Sequence, residues 1–230
     1  MTNQKRYAKI TLLRNIVIKV GETQMSDRET RELLLESGKK EFLEKGYMKA
    51  SLRKICADAG VTTGALYFFF KDKEDLFGAI SEPPLKELTK ILNEHFSADV
   101  EAISQAPAPE GLNAYELVDH DEFVMRLVHH VYSNYDAFIL LLTKSQGSKY
   151  ENCVDSLVET IEQFYLVLSE KIGAHYGAKV NRYMLHWLTH MMVDSFIHLI
   201  THECDEAKAV QYMMRIMNFI LGGWQRAVFE

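Results

Sequence analysis

The 230-residue sequence contains only four prolines and three cysteines, and each shortage narrows what it can be. Cys56, Cys153 and Cys204 lie far apart and form no CxxC pair, so neither a disulfide framework nor a zinc finger is signalled. Buried reduced thiols are the expectation. No uninterrupted apolar run approaches the roughly 20 residues that cross a bilayer, because even the stretch from Ile10 to Val20 carries Arg14 and Lys19. The same two charges interrupt any signal-peptide core, so a cytoplasmic location without membrane partners is expected. Strand-like alternation is confined to Ile10, Leu12, Ile16 and Ile18. There is no P-loop, dinucleotide fingerprint, nucleophile–base pair, internal repeat or low-complexity tract. Neither an enzyme nor a cofactor is expected.

What is present is an ordinary globular balance, 47% hydrophobic and 25% charged, with the charges unevenly placed. Residues 1 to 73 hold 15 Lys/Arg against 9 Asp/Glu, and residues 74 to 230 hold 11 against 23, within a net charge of −6. A basic front end on an acidic body suits phosphate binding by one part only. The chain divides accordingly into a basic segment 1–24, a unit 25–80 and a body 81–230. Segment 1–24 reads as a tail; the alternative is a basic arm following the DNA backbone or minor groove.

Almost every other segment reads as helix, giving an all-α fold. A first helix from Asp27 to Lys45 buries Leu34, Leu35, Gly38, Phe42 and Leu43, and Gly46 ends it. Ser51 caps a second helix with Leu52, Ile55 and Cys56, and Gly60 supplies a tight turn. Thr62 caps a short third helix within the run GALYFFF, and Asp72 with Asp75 opens a fourth. Helix, short helix, glycine turn, short helix within about fifty residues is the layout of a helix-turn-helix unit. Pro83 and Pro84 predict a break or kink in the fourth helix and hence a candidate hinge. Ser97 to Asn113 reads as a loop. Helices are expected near Ala114–Tyr135, Asp136–Thr143, Tyr150–Tyr176, Ala178–Glu203 and Asp205–Phe229.

The stretch GYMKASLRKICADAGVTTGALYFFFKDKEDLFGAI, Gly46 to Ile80, resembles the DNA-binding domain of the TetR/AcrR family of bacterial regulators. A small residue before a Ser cap, the AGVT turn, the GALY core and KxKEDL occur together in order. The small residues Thr62, Thr63, Gly64 and Ala65 let the third helix enter a major groove closely, with Thr63 the choice for a base contact. The resemblance implies that Tyr67 and Phe68 lie against the DNA backbone and that Lys73 grips a phosphate. Phe68 stands where His or Tyr is frequent and donates no hydrogen bond. Ser51, Arg53, Lys54 and Lys71 are further phosphate candidates, whereas Leu66, Phe69 and Phe70 read as core. The resemblance also implies a three-helix N-terminal DNA-binding domain and a helical C-terminal domain for dimerisation and effector binding.

In the body, Val210, Met213, Met214, Met217, Ile220, Leu221 and Trp224 draw an apolar stripe, and the preceding helix is apolar on more than one side. Pairing with a second copy would cover both, setting two recognition helices roughly 34 Å apart on a near-palindromic operator. Met125, Tyr132, Phe138, Phe164, Tyr165, Tyr183, Trp187 and His190 are candidates to line an effector pocket; they are equally compatible with plain core. His186, His190, Asp194, His198 and His202 recur every four residues. Such a row winds by roughly 160° and cannot face one ion, so hydrogen bonding across a dimer or into a pocket is the preferred reading and no metal site is expected. Three classes fit: a ligand-responsive DNA-binding repressor; a helical-bundle metal-binding protein or enzyme using helix 186–202; or a helical interaction protein whose helix-turn-helix no longer reads DNA.

Overall fold

The computed structural model describes residues 26–105, 120–203 and 205–230, so the basic segment 1–24, Met25, residues 106–119 and Cys204 lie outside the described residues. Nine helices occur among those described: α1 (Asp27–Lys49), α2 (Leu52–Asp58), α3 (Thr63–Phe69), α4 (Lys73–Gln105), α5 (Asp121–Ser133), α6 (Tyr135–Thr143), α7 (Cys153–Tyr176), α8 (Arg182–His202) and α9 (Glu206–Val228). No strand occurs among these residues. A single antiparallel bridge, Val180 to Phe229, ties the start of α8 to the end of α9.

Local chemistry sets the N-terminal boundaries. Ser26 and Glu29 form a reciprocal capping box, with Glu29 N donating to Ser26 Oγ (3.2 Å) and Ser26 N to Glu29 Oε2 (2.8 Å). The regular part of α1 ends at Gly46, whose φ of +73° an L side chain rarely adopts. Ser51 accepts from Lys54 N, Thr62 accepts from Ala65 N, and Gly60 turns the chain between α2 and α3 at φ +69°. Leu34, Phe42, Ile55, Leu66, Leu76 and Phe77 are fully buried where these helices meet. Burial pushes the Cys56 thiol above its ordinary value, as befits an inert core cysteine.

The fourth helix differs from expectation twice. It runs through Pro83 and Pro84, and it continues through residues 97–105, where a loop was expected. A proline inside a helix costs about 3 kcal/mol, and packing on both sides of the pair offsets it: Phe77, Ser81, Pro84, Leu88 and Leu92 are all buried along α4. The prolines deprive the carbonyls of Ala79 and Ile80 of their usual partners, and both residues border an open pocket of about 420 Å³ where solvent can stand in. His130 Nε2 donates to Pro84 O at 2.8 Å, anchoring the same turn to α5. The break expected at this point is absent. The helix crosses residue 80 unbroken, so the helix-turn-helix unit and the body share one continuous element.

Beyond α4, helices α5 to α9 pack around one core containing Val128, Leu140, Leu168, Leu185, Ile200 and Trp224. Asn181 caps α8 by accepting from Met184 N, and Gly177, left-handed at φ +68°, ends α7.

Candidate nucleic-acid interface and effector cavity

Helix α3 is held from one side and bare on the other. Leu66 is completely buried and Phe70, at its C-cap, nearly so, while Thr62, Thr63 and Gly64 are exposed and Ala65 is half-buried. Tyr67 and Phe68 are 59% and 74% exposed, which is unusual for aromatics and is what a helix awaiting a partner presents. Phe69 is partly buried and meets Phe68 edge-on. Of the basic candidates nearby, Arg53 and Lys71 are exposed and form no ion pair among the described residues, and Lys54 pairs with Asp58 one turn on. Ser51 is committed to the local fold: its Oγ caps α2 and its N–H donates to Glu41 Oε1 at 3.1 Å.

Lys73 is placed differently from a simple phosphate grip. Its ammonium donates to the carbonyls of Tyr47 (2.8 Å), Met48 (3.2 Å) and Ala50 (3.4 Å) and lies 4.6 Å from the centre of the Tyr47 ring. It thereby ties the start of α4 to the end of α1. The start of α4 is further fixed by Asp75 N donating to Asp72 Oδ1 (2.8 Å), the cap expected from the spacing of the two aspartates, while Asp75 Oδ2 accepts from Lys71 N (2.9 Å), one residue earlier than a reciprocal box would have it.

The loop after α6 docks the body onto this unit through residues that gave no sign in the sequence. Tyr47 N donates to Lys144 O at 2.8 Å; Tyr47 Oη donates to Glu74 Oε2 at 2.8 Å, and Lys149 N reaches Glu74 Oε1 at 2.9 Å. Glu82 receives Lys149 Nζ (2.8 Å), Lys86 Nζ (3.1 Å) and the Tyr150 hydroxyl. Fit is tight on both flanks: a Cβ at Gly78 would lie 2.7 Å from Tyr150 Oη, and one at Gly147 would lie 2.6 Å from Met48 Cγ. Burial first and Glu82 second push the Tyr150 phenol up to about 12. Hydrogen bonds from Lys149, then Tyr150 and Lys86, hold the Glu82 carboxyl down at about 2, against an ordinary 4.5. A depressed folded-state value contributes stability that is fully present above 4.5 and is lost as the pH falls from there through about 2. Glu82→Gln should therefore lower the melting temperature at pH 7, and the gap to the wild type should close between pH 4.5 and 2 in thermal melts followed by circular dichroism. A gap that stays constant over that range would mean that the charge on Glu82 is not what stabilises the joint.

Within the body, α4, α5, α7, α8 and α9 enclose an apolar cavity of about 60 Å³, walled by Leu88, Leu92, Phe96, Phe123, Leu127, Tyr165, Met192, Phe196 and Met213, among others. Of the residues expected at an effector pocket, Tyr165 lines it and Phe164 stacks on Phe96, at 4.8 Å between ring centres. The rest are elsewhere. Met125, Tyr183 and Trp187 are 47%, 74% and 50% exposed. Tyr132 borders the open pocket beside α4 and donates to Glu203 O, Phe138 is buried beneath His130, and His190 lies against His186 on α8. The histidine row does not converge: His186 binds Glu162 (2.7 Å), and His202 stacks on His198.

Residues 34–80 match the family described as bacterial regulatory proteins, tetR family. The chain is 45% identical over 58 residues to the HTH-type transcriptional repressor BepR of Brucella suis biovar 1, a match covering 25% of this chain and 28% of that protein. It is 31% identical over 111 residues to the HTH-type transcriptional regulator AcrR of Shigella flexneri, covering 47% and 52%. The matched segments thus span about half or less of these relatives' own lengths. Among solved structures, a TetR-family regulator of Streptomyces coelicolor A3 aligns with a TM-score of 0.56 at 19% identity, over 88% of this chain and 92% of that one. The TetR-family regulator PfmR of Thermus thermophilus aligns with a TM-score of 0.52 at 22% identity, over 82% and 93%. Identities this low speak to fold alone, and here the fold extends well past the matched N-terminal segment. Residues 34–80 are thus similar to the tetR family of bacterial regulatory proteins, and the helical body beyond them has the fold of TetR-family structures.

Proposed function

We propose that the protein is a transcriptional regulator that represses by holding a near-palindromic operator as a homodimer and releases it when a small molecule enters the body. The observation that carries this reading is the bare face of α3, where Thr63, Gly64, Tyr67 and Phe68 stand in solvent on a helix anchored by Leu66 and Phe70. Its relatives bear the names of repressors and regulators. Thr63 reads a base edge, Gly64 and Ala65 permit close approach, Tyr67 and Phe68 lie on the sugar-phosphate backbone, and Arg53, Lys54 and Lys71 supply charge. Ser51 and Lys73 act by holding α2 and the α1–α4 corner in place. No helix among the described residues is long and apolar enough to cross a membrane.

The effector cavity is the one shared by α4 and the last helices. It is small as it stands, so an apolar effector would have to enlarge it. Leu88, Leu92 and Phe96 in its wall belong to α4, which begins at Lys73, so displacement there reaches the DNA-binding unit directly. An effector that prefers the displaced arrangement weakens operator binding by its difference in affinity for the two states. An enzyme or metal site on the α8 histidines is not favoured, because that row faces several directions.

Selection of bound duplexes from a random pool, repeated at several salt concentrations, tests the reading. A near-palindromic consensus is expected. Thr63→Val should change the preferred sequence, while Lys71→Ala should weaken all duplexes alike and reduce the salt slope by about 1. No preference over random competitor at modest ionic strength would overturn it.

A further inference from the structure

Away from the operator face, α4 and the start of α5 bring His95, Asp99 and His120 together. His95 and Asp99 stand one helical turn apart on α4, and His120 is the residue preceding α5. One donor atom from each lies within 4.8 Å of the other two. His95 Nε2 is 3.4 Å from Asp99 Oδ2 and 3.3 Å from His120 Nδ1.

Hydrogen bonding accounts poorly for this arrangement. A ring nitrogen offers one lone pair or one N–H in its plane, so His95 Nε2 serves either the carboxylate or the second imidazole. Asp99 is 3% exposed, and its Oδ1 has no hydrogen-bond partner among the described residues. A buried carboxylate with an orphan oxygen is costly in any protein. The spacing suits an ion instead: bonds of about 2.0–2.2 Å to a tetrahedral centre put its ligand atoms about 3.3–3.6 Å apart; the two separations made by His95 Nε2 fall in that range, and the Asp99 and His120 donor atoms lie within 4.8 Å of each other. The His95 ring is fixed by stacking on Phe123, 3.7 Å between centres and 6° from parallel.

We infer that His95, Asp99 and His120 form a binding site for a first-row divalent transition-metal ion of the zinc type. Two imidazoles and one carboxylate suit such ions better than magnesium or calcium, which take oxygen ligands. Three protein ligands leave a fourth position for water or an incoming donor. Phe96 and Phe123, on which the His95 ring packs, also wall the apolar cavity, so the ion sits beside it.

The test uses the full-length protein, stripped with a chelator and titrated with Zn²⁺ by calorimetry, with metal analysis after gel filtration. One ion per subunit is expected. Co²⁺ should give the intense visible bands of a tetrahedral site. Asp99→Asn and His120→Gln should each weaken binding at least about tenfold, and the double variant His186→Gln/His190→Gln on α8 should not. Substoichiometric binding, or loss on the α8 variant with the triad variants unaffected, overturns the site. If Asp99→Asn fails to fold, His120→Gln decides, since its side chain caps no backbone group of α5. The titration involves no DNA, so the site and the operator reading can fail independently.

Discussion

Phe219→Arg is expected to yield a folded monomer whose operator affinity has fallen about 100-fold or more. Phe219 is 78% exposed on α9, and Tyr212, two turns earlier on the same helix, is 42% exposed. Next to them Gly222 and Gly223 would meet nothing within 4 Å if they carried a Cβ, so a second helix can approach this stretch closely. Tyr183 and Trp187 extend the exposed apolar surface onto α8. Surface of this kind on two adjoining helices calls for a covering element, and a second copy of the same pair makes a four-helix bundle. A charged guanidinium at its centre would lose hydration without gaining a partner. Because the wild-type side chain touches little within its own subunit, helicity and melting should change little. The two half-sites would then be bound independently, with the salt slope of operator binding roughly halved. Sedimentation together with a duplex-binding titration checks both parts. A variant that remains dimeric and keeps its operator affinity would exclude this face as the route to two-site binding.

The sequence discloses the helix-turn-helix unit almost completely, because local rules set its boundaries. Gly46, Ser51, Gly60, Thr62 and the Asp72–Asp75 pair each act within four residues of themselves, and each does what its chemistry dictates. Where tertiary packing outweighs a local preference, sequence reasoning fails. Pro83 and Pro84 are strong breakers taken alone, yet α4 passes through them because its buried face is continuous from Phe77 to Leu92. The effector candidates scattered for a related reason. Periodicity marks which side of a helix is apolar and is silent on whether that side meets its own core or another subunit, so Tyr183 and Trp187 looked like pocket and stand in solvent. The histidine row on α8 drew attention through its regular spacing, whereas the cluster that converges brings His95 and Asp99 of α4 together with His120, which precedes α5 and lies 25 residues on from His95. Part of it lay where a loop was expected, which hid the one-turn relation of His95 to Asp99.

Lys73→Met should destabilise the protein by about 2–3 kcal/mol, the contribution of a partly buried cation donating to several carbonyls, and should leave the salt slope of duplex binding nearly unchanged. The methionine keeps most of the aliphatic stem, so packing is largely conserved and the loss isolates the ammonium. What the ammonium does is written in its contacts: the carbonyls of Tyr47, Met48 and Ala50, all beyond the Gly46 break where α1 has stopped supplying its own donors. With those contacts gone, the α1 end and the start of α4 separate, and Tyr47, which also carries the Lys144 and Glu74 contacts to the body, loses its cation. For a chain of this size the melting temperature should fall by about 5–10 °C. Lys71→Ala is the complementary control: exposed and engaged, among the described residues, only through its backbone N–H, it should leave melting unchanged and reduce the salt slope. If the two variants exchange behaviours, with Lys73→Met melting normally and binding every duplex more weakly with a flatter salt dependence, then Lys73 leaves its carbonyls for phosphate on the operator and the corner between α1 and α4 is held by its other contacts, the packing of Phe42, Tyr47 and Phe77 among them.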